Sequence, residues 1–397
     1  MKGNKVLMYF IILFPFFKPE YLVRIPIISI LFNAWKIISL IIVILLILKR
    51  GRLTKQFLLL LLFCFWLTFI TIIKMGDFKT VFTFSISIIS LSYIVEEGIR
   101  NIKSFIKSLI LCFEIVIYIN LISIILFPQG LYTTGSTLIG TALSNWFLGY
   151  DNTHIAYYLP AYIVSYIYMN LFKKSFRGKA LIIAILLSSI ICWSATTMVG
   201  IFMMILFSAL PCIKRNTKIF NLKNYLLLTI FLFLFIVIFR MQNKFEFLIV
   251  DILKKDLTFT NRTILWEITL TYIVKHLLFG YGWQSASIRH LMYNSKTIIF
   301  AHNQILEYLY LGGIVCIIIY LSLWLYAIKS TKKNKNNENI QIIHVAFLIL
   351  QILSITEVYL NPIMYLVLIF TVYSSAIADS IKESRNEKKI INNYSSL

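Results

Sequence analysis

"TFTNRTILWEITLTYIVKHLLFGYGWQ" (residues 258–284) interrupts a chain that is otherwise a succession of apolar runs such as "IISLIIVILLIL" (37–48). Of 397 residues, 59% are hydrophobic and 14% charged, and the mean hydropathy is +0.84. Runs of this length and polarity place the chain among polytopic membrane proteins. Against that background a basic, aromatic and mixed-polarity stretch is a break between spans, and the spans can be counted outward from it. Lys and Arg outnumber Asp and Glu 38 to 16, a formal charge of +22. In a membrane protein such an excess reports cytoplasmic loops facing anionic lipid; it does not call for nucleic acid as a partner. Cys64, Cys112, Cys192, Cys212 and Cys316 fall in or beside apolar runs with no CxxC pair or His at ligand spacing. They read as buried thiols, with no disulfide framework and no metal site. Val6 to Phe17 has the length of a signal segment, but Lys18, Pro19 and Glu20 follow it where small residues would mark cleavage, so it reads as a retained first span.

The expected fold is an all-α polytopic membrane protein with about 12 transmembrane helices, a single integral membrane domain over residues 1–397. The spans fall near 6–17, 26–48, 56–73, 80–95, 104–127, 153–172, 180–194, 196–213, 224–239, 306–328, 341–358 and 362–380. Loops kept in the cytoplasm collect Lys and Arg. The even-numbered connections do so, with Lys49, Arg50, Arg52 and Lys55, then Arg100, Lys103 and Lys107, then Lys173, Lys174, Arg177 and Lys179. The same holds for Lys214, Arg215, Lys218 and Lys223, and for Lys329, Lys332, Lys333 and Lys335. Both termini are therefore expected inside, with residues 381–397 a cytoplasmic tail. Two extracytoplasmic segments remain. Residues 128–152 lack Lys and Arg and carry Gly130, Gly135, Gly140 and Gly149. Residues 240–305 form one large loop with interfacial helices between spans nine and ten. No internal repeat of the kind that builds transporters is visible.

Within the large loop, Thr258, Thr260 or Asn261 can cap a helix starting at Arg262. Ile264, Leu265, Ile268, Tyr272, Ile273 and Leu277 then recur at helical spacing, with Arg262, Glu267, Lys275 and His276 between them, the pattern of a helix lying in the bilayer interface. Arg262 and Trp266, four apart, share a side of it. "FGYG" (279–282) ends the helix, Arg289, His290 and Lys296 follow, and "AHNQILEYLYLGGIV" opens the tenth span with His302 at its mouth. Each residue also has a plainer reading: Arg262 as a headgroup anchor, Trp266 as an aromatic-belt residue, His302 as a cap and the glycines as turns. Asp151, Asn152 and His154 read either as sugar contacts or as caps. Lys36 and Glu114, expensive inside a membrane, read as an ion pair with each other.

"LTFTNRTILW", "FGYG" and "AHNQILEYLYLGG" together resemble the signature of the O-antigen ligase and Wzy-type polysaccharide polymerase superfamily. "LFPQGLYT" and "WFLGYDNTHIAYYLPA" are similar to the loop before the sixth span of its capsule polymerases. The chain departs from the pattern at Asn261, where Gly is usual, at Leu277, where Pro is usual, and at "WSATTMVG" (193–200), which lacks the usual Arg. The resemblance implies a metal-independent, cofactor-free, inverting glycosyltransferase in a bacterial cytoplasmic membrane, its active site on the extracytoplasmic face. It would take undecaprenyl-diphosphate-linked oligosaccharides and extend a capsule, O-antigen or exopolysaccharide. A ligase-type transferase and a flippase of the same lipid-linked sugars remain as alternatives, and a chain-length regulator and a flippase are expected partners. Arg262 would bind the leaving diphosphate with its planar fork, and His302 would serve the acceptor hydroxyl, since an imidazole titrates near neutrality. Trp266, Gly280, Gly282, Arg289, Asn303, Asn152 and Arg240 would contact substrate.

Overall fold

A computed structural model describes residues 2–136, 142–172, 176–210, 217–241, 262–332, 334 and 336–394. The succession of helices follows directly from the apolar runs, because a backbone in hydrocarbon must satisfy its own hydrogen bonds. Helix α1 (Lys2–Leu13) continues into a single 3₁₀ turn (Phe14–Phe17); α2 is Pro26–Arg50, α3 Lys55–Ile73, α4 Phe78–Ile99 and α5 Ile102–Leu126. Then come α6 (Ile155–Leu171), α7 (Phe176–Ile191), α8 (Ala195–Ala209) and α9 (Leu222–Leu232), the last running into a π turn at Phe233–Ile238. Helices α10 (Arg262–Lys275) and α11 (Ala286–Tyr293) precede α12 (Gln304–Thr331), α13 (Glu338–Leu353), α14 (Tyr365–Val372) and α15 (Ser374–Tyr394).

Among the described residues each of the twelve segments expected from hydropathy lies at least partly on helix, but only α2, α3, α4, α5 and α12 are long and apolar enough to cross a membrane unaided. A sixth is reached if α14 and α15, bent by 69° at Tyr373, form one span. The expected span 341–358 ends as helix at Leu353, which leaves residues 355–361 as a loop.

The expectation of an all-α chain is corrected in residues 128–152, which hold a small antiparallel sheet in the order β1-β2-β3 (Tyr132–Ser136, Ala142–Trp146, Gly149–Tyr150). Tyr132 pairs with Asn145 and Trp146 with Gly149. The sheet is bolted to the end of α5. Asn120 Oδ1 accepts from the Leu148 amide at 2.9 Å, and Trp146 Nε1 donates to the Phe127 carbonyl at 2.8 Å. The Tyr21 amide reaches the Phe147 carbonyl at 3.2 Å, joining the turn after α1 to the same sheet.

At the other end of the bundle, Arg50 and Thr54 both meet the Glu96 carboxylate, and Tyr373 donates to it at 2.7 Å. Glu114 is taken by Arg177, whose Nε lies 2.9 Å away, so the expected Lys36–Glu114 pair does not form. Arg177, expected in a loop, stands in the first turn of α7, which packs along α5 and brings the guanidinium back to the carboxylate.

Helix α12 is broken at Gly313, whose backbone is left-handed and extended (φ 64°, ψ −164°). The break exposes carbonyls and amides that the turn 277–282 pairs with. Tyr281 and Gly282 amides donate to the Tyr310 and Leu311 carbonyls at 2.8 and 2.9 Å, and the Ile314 amide donates to Leu277 at 2.9 Å. Gly280 and Gly313 both have positive φ, and a Cβ on either would sit under 3 Å from backbone of the opposite strand of this junction. Glycine is needed at both.

Candidate functional site

Where α10 begins, the chain has just left a segment outside the described residues, so the expected caps Thr258, Thr260 and Asn261 carry no structural description. From Arg262 onward the helix turns Leu265, Trp266, Thr269 and Ile273 inward, and it packs against α12. Arg262 stands at the open end of that inward face.

His302 and Asn303 form the entrance to α12. Asn303 Oδ1 caps the helix by accepting from the Leu306 amide at 2.9 Å, while its Nδ2 donates to the Ile355 carbonyl at 2.9 Å. The Gln304 amide donates to the Ser354 carbonyl at 2.9 Å, and Gln304 Oε1 accepts from the Tyr359 amide at 2.7 Å. These bonds lace residues 303–304 to the loop after α13. They deliver a residue that periodicity did not single out, Glu357, to the side of His302.

The result is a carboxylate shared by a cation and an imidazole. Arg262 Nη2 lies 2.5 Å from Glu357 Oε1, and His302 Nδ1 lies 3.4 Å from Glu357 Oε2. Burial alone would raise the Glu357 carboxyl. The bond from His302 and the Arg262 charge outweigh it and hold the carboxyl below the usual range. The His302 side chain is 34% exposed against 14% for Glu357, so the imidazole is the more open of the two groups and the carboxylate the more enclosed. His302 itself has φ 49°, an uncommon left-handed conformation for a residue other than glycine or asparagine. Trp266 Nε1 donates to the His302 carbonyl at 3.4 Å and helps to hold it there.

The sheet supplies a second wall. Tyr150 and Asp151 lie close enough to Glu357 for the charges to be felt. Burial first, then Asp151 and Glu357, push the Tyr150 phenol up to about 12, and Asp151 is raised by burial with Glu357 adding to it. Asn152 Oδ1 accepts from Ser194 Oγ at 2.7 Å, and Thr197 Oγ1 donates to the Asp151 carbonyl at 3.0 Å. The "WSATT" stretch, which lacks a basic residue, therefore braces this wall with hydroxyls.

Several of the expected substrate contacts are engaged within the protein. Trp266 is fully buried, so its ring faces are covered by protein; it lies on the side of α10 that turns inward, and its Nε1 bonds to the His302 carbonyl. Arg289 is buried against Glu307, with its guanidinium 3.8 Å above the Tyr310 ring. Glu307 also accepts from the Ala301 amide at 2.9 Å, so this pair stiffens the turn before His302 and its charge is spent. Gly280 and Gly282 fold the turn into the α12 break, with their amides bonded to His276 and Leu311, so they do not offer donors to a phosphate. Asn303 is buried as a cap, and Arg240 pairs with Glu267 at 2.6 Å. Of the sequence-derived set, Arg262 and His302 converge, with Asn152 in the adjoining wall.

Among the described residues there is no group of three or more His, Cys, Asp or Glu arranged to hold a metal ion. No curated protein matches the sequence. Residues 138–321 match a family model described as O-antigen ligase; that stretch contains Asn152, Arg262 and His302 and stops short of Glu357.

Proposed function

We propose that this chain, whose residues 138–321 match a family model described as O-antigen ligase, polymerises undecaprenyl-diphosphate-linked oligosaccharide repeat units on the outer face of a bacterial cytoplasmic membrane. The observation that carries this reading is the Arg262–Glu357–His302 array. His302 takes the proton of the acceptor hydroxyl at Nε2, and Glu357 at Nδ1 fixes the ring and stabilises the imidazolium that forms. The acceptor oxygen bonds to the anomeric carbon as the carbon–oxygen bond to the diphosphate breaks. The departing diphosphate carries the electron pair and meets the remaining donors of Arg262, a permanently charged fork. Direct displacement inverts the anomeric centre and needs neither metal nor nucleotide.

A ligase reaction, moving finished glycan to a different acceptor, would use the same three residues, and the description of the matched family favours it. The similarity of residues 126–161 to capsule polymerases favours repeat-unit addition. Both readings are tested by giving purified protein in liposomes synthetic undecaprenyl-diphosphate repeat units with no energy source. Ladders of lengthening lipid-linked glycan support the polymerase; transfer of a single block only to an added non-identical acceptor supports the ligase; no transfer in either assay refutes both.

A further inference from the structure

The turn after α1 and the outer half of α2 hold two lysines that the array above does not use. Lys18 Nζ donates to Ser29 Oγ at 2.9 Å and to Asn33 Oδ1 at 3.3 Å. Lys36 lies on the same side of α2, since positions 29, 33 and 36 recur at four- and three-residue steps. It stands ten residues into the helix, about 15 Å from its start. Lys18 is its charged neighbour, and no described carboxylate pairs with either lysine. Ser39, a further three residues on, is buried and its hydroxyl has no partner among the described residues. A lysine well inside an apolar helix, with a second lysine near enough for its charge to be felt and no described carboxylate to offset either, is costly, and such residues mark ligand paths.

The surroundings specify the ligand. Ile27, Ile30, Leu31, Ile37 and Ile38 are each more than half exposed on α2, so this helix faces lipid and a ligand can arrive sideways from the bilayer. Phe14, Phe32 and Trp35, the residue before Lys36, meet at tilted angles in an aromatic cluster, with ring centroids 5.8 to 6.1 Å apart. A phosphodiester headgroup brings one negative charge and would neutralise one lysine. A diphosphate brings more than one, on two linked phosphoryl groups, and matches the pair. The same turn also touches the sheet wall of the catalytic array. The Glu20 side chain lies where a Cβ on Gly149 would be, and Tyr150, the next residue, is coupled to Glu357 and Arg262.

We infer that Lys18 and Lys36, with Ser29 and Asn33, form a second diphosphate site that holds the prenyl-diphosphate headgroup of the acceptor while its glycan crosses the β3 turn to His302. The inference rests on the transferase reading, because a reaction joining two lipid-linked glycans needs an anchor for each.

The test uses the full chain in nanodiscs of neutral phosphatidylcholine and measures the stoichiometry of bound undecaprenyl diphosphate by native mass spectrometry. Two equivalents are expected for the unmodified protein and one for Lys18→Gln/Lys36→Gln; Lys36→Arg should restore the second. Phosphatidylglycerol and inorganic pyrophosphate should each compete at least tenfold more weakly than the prenyl diphosphate. In turnover the double variant should show an acceptor KM raised about tenfold with kcat within threefold. Two equivalents retained by the double variant, or equal competition by phosphatidylglycerol or pyrophosphate, would overturn the assignment. Thermal unfolding of the double variant, compared with Lys36→Arg, separates loss of site from loss of fold. If two equivalents bind and no glycan is ever transferred, the transferase reading fails while the site stands.

Discussion

Replacing Glu357 with Gln keeps the shape of the side chain and removes its charge. Two interactions change. Arg262 loses the partner 2.5 Å away, and His302 loses the carboxylate 3.4 Å from Nδ1. A hydrogen bond to a charged group contributes about 1.5–3 kcal/mol. The bond to His302 becomes charge-assisted only as the ring takes the acceptor proton, so its loss falls mainly on the transition state. At one decade per 1.4 kcal/mol, kcat should drop about 10- to 100-fold. An amide NH₂ facing Nδ1 adds to this by favouring the tautomer with its proton on Nε2, which cannot act as a base. The donor KM should not rise, because Arg262 without its carboxylate attracts a diphosphate at least as strongly. The assay is chain elongation in proteoliposomes, with donor and acceptor varied separately. A folded Glu357→Gln protein whose kcat stays within threefold of the unmodified one would refute the idea that the carboxylate orients the base.

Four further outcomes follow from the same geometry. Because the Glu357 carboxyl is held below its ordinary value, its contribution to stability is present above the unfolded value and is lost as pH falls through the folded one. Thermal unfolding between pH 6 and 3 should therefore show the unmodified protein losing its advantage over Glu357→Gln below about pH 4. Trp266→Ala empties a fully buried site and should cost about 3–5 kcal/mol, while Trp266→Phe keeps most of the packing, as judged by unfolding in detergent; equal stability for all three proteins would return Trp266 to a surface role. Arg289→Ala leaves Glu307 buried and unpaired and should cost about 3–5 kcal/mol, whereas Arg289→Met/Glu307→Met should recover much of it; a double variant no better than the single would contradict this. Gly280→Ala must adopt φ 73° and place its Cβ 2.6 Å from the Tyr310 carbonyl oxygen, so it should lower thermal stability by well over 1 kcal/mol, and an unchanged melting temperature would show that the turn can rearrange.

Much of the frame was legible because hydropathy acts locally. The apolar runs lie largely on helix among the described residues, and α10 and α12 fall where the helical spacing of the large loop and the tenth apolar run expect them. What escaped depended on contacts between distant segments. Glu357 sits in "SITEVYLNP", an ordinary span end by composition, and only the bonds from residues 303–304 across more than fifty positions bring it to His302. The signal that was available was its charge beside an apolar run, the same signal that drew attention to Lys36 and Glu114. Their pairing was misjudged because helical spacing says nothing about which helix lies alongside, and Arg177 on the neighbouring α7 won Glu114. Trp266 shared a side with Arg262 by spacing, but that side turned toward α12, so the ring was buried and the guanidinium alone reached the opening. The glycines of "FGYG" form a turn, as one of their two sequence readings expects; that the turn docks into a break at Gly313 depends on the partner helix. The short strands of residues 132–150 were hidden in a glycine- and threonine-rich loop too brief to show alternation.

The most direct measurement is elongation of synthetic undecaprenyl-diphosphate repeat units by purified protein in liposomes, run beside Arg262→Ala and His302→Ala and resolved by mass. A ladder of lengthened, inverted-linkage, lipid-linked glycan is expected from the unmodified protein, with growth slower by about a hundredfold or more in each variant with folding intact. Ladders growing at equal rates in all three would contradict that expectation.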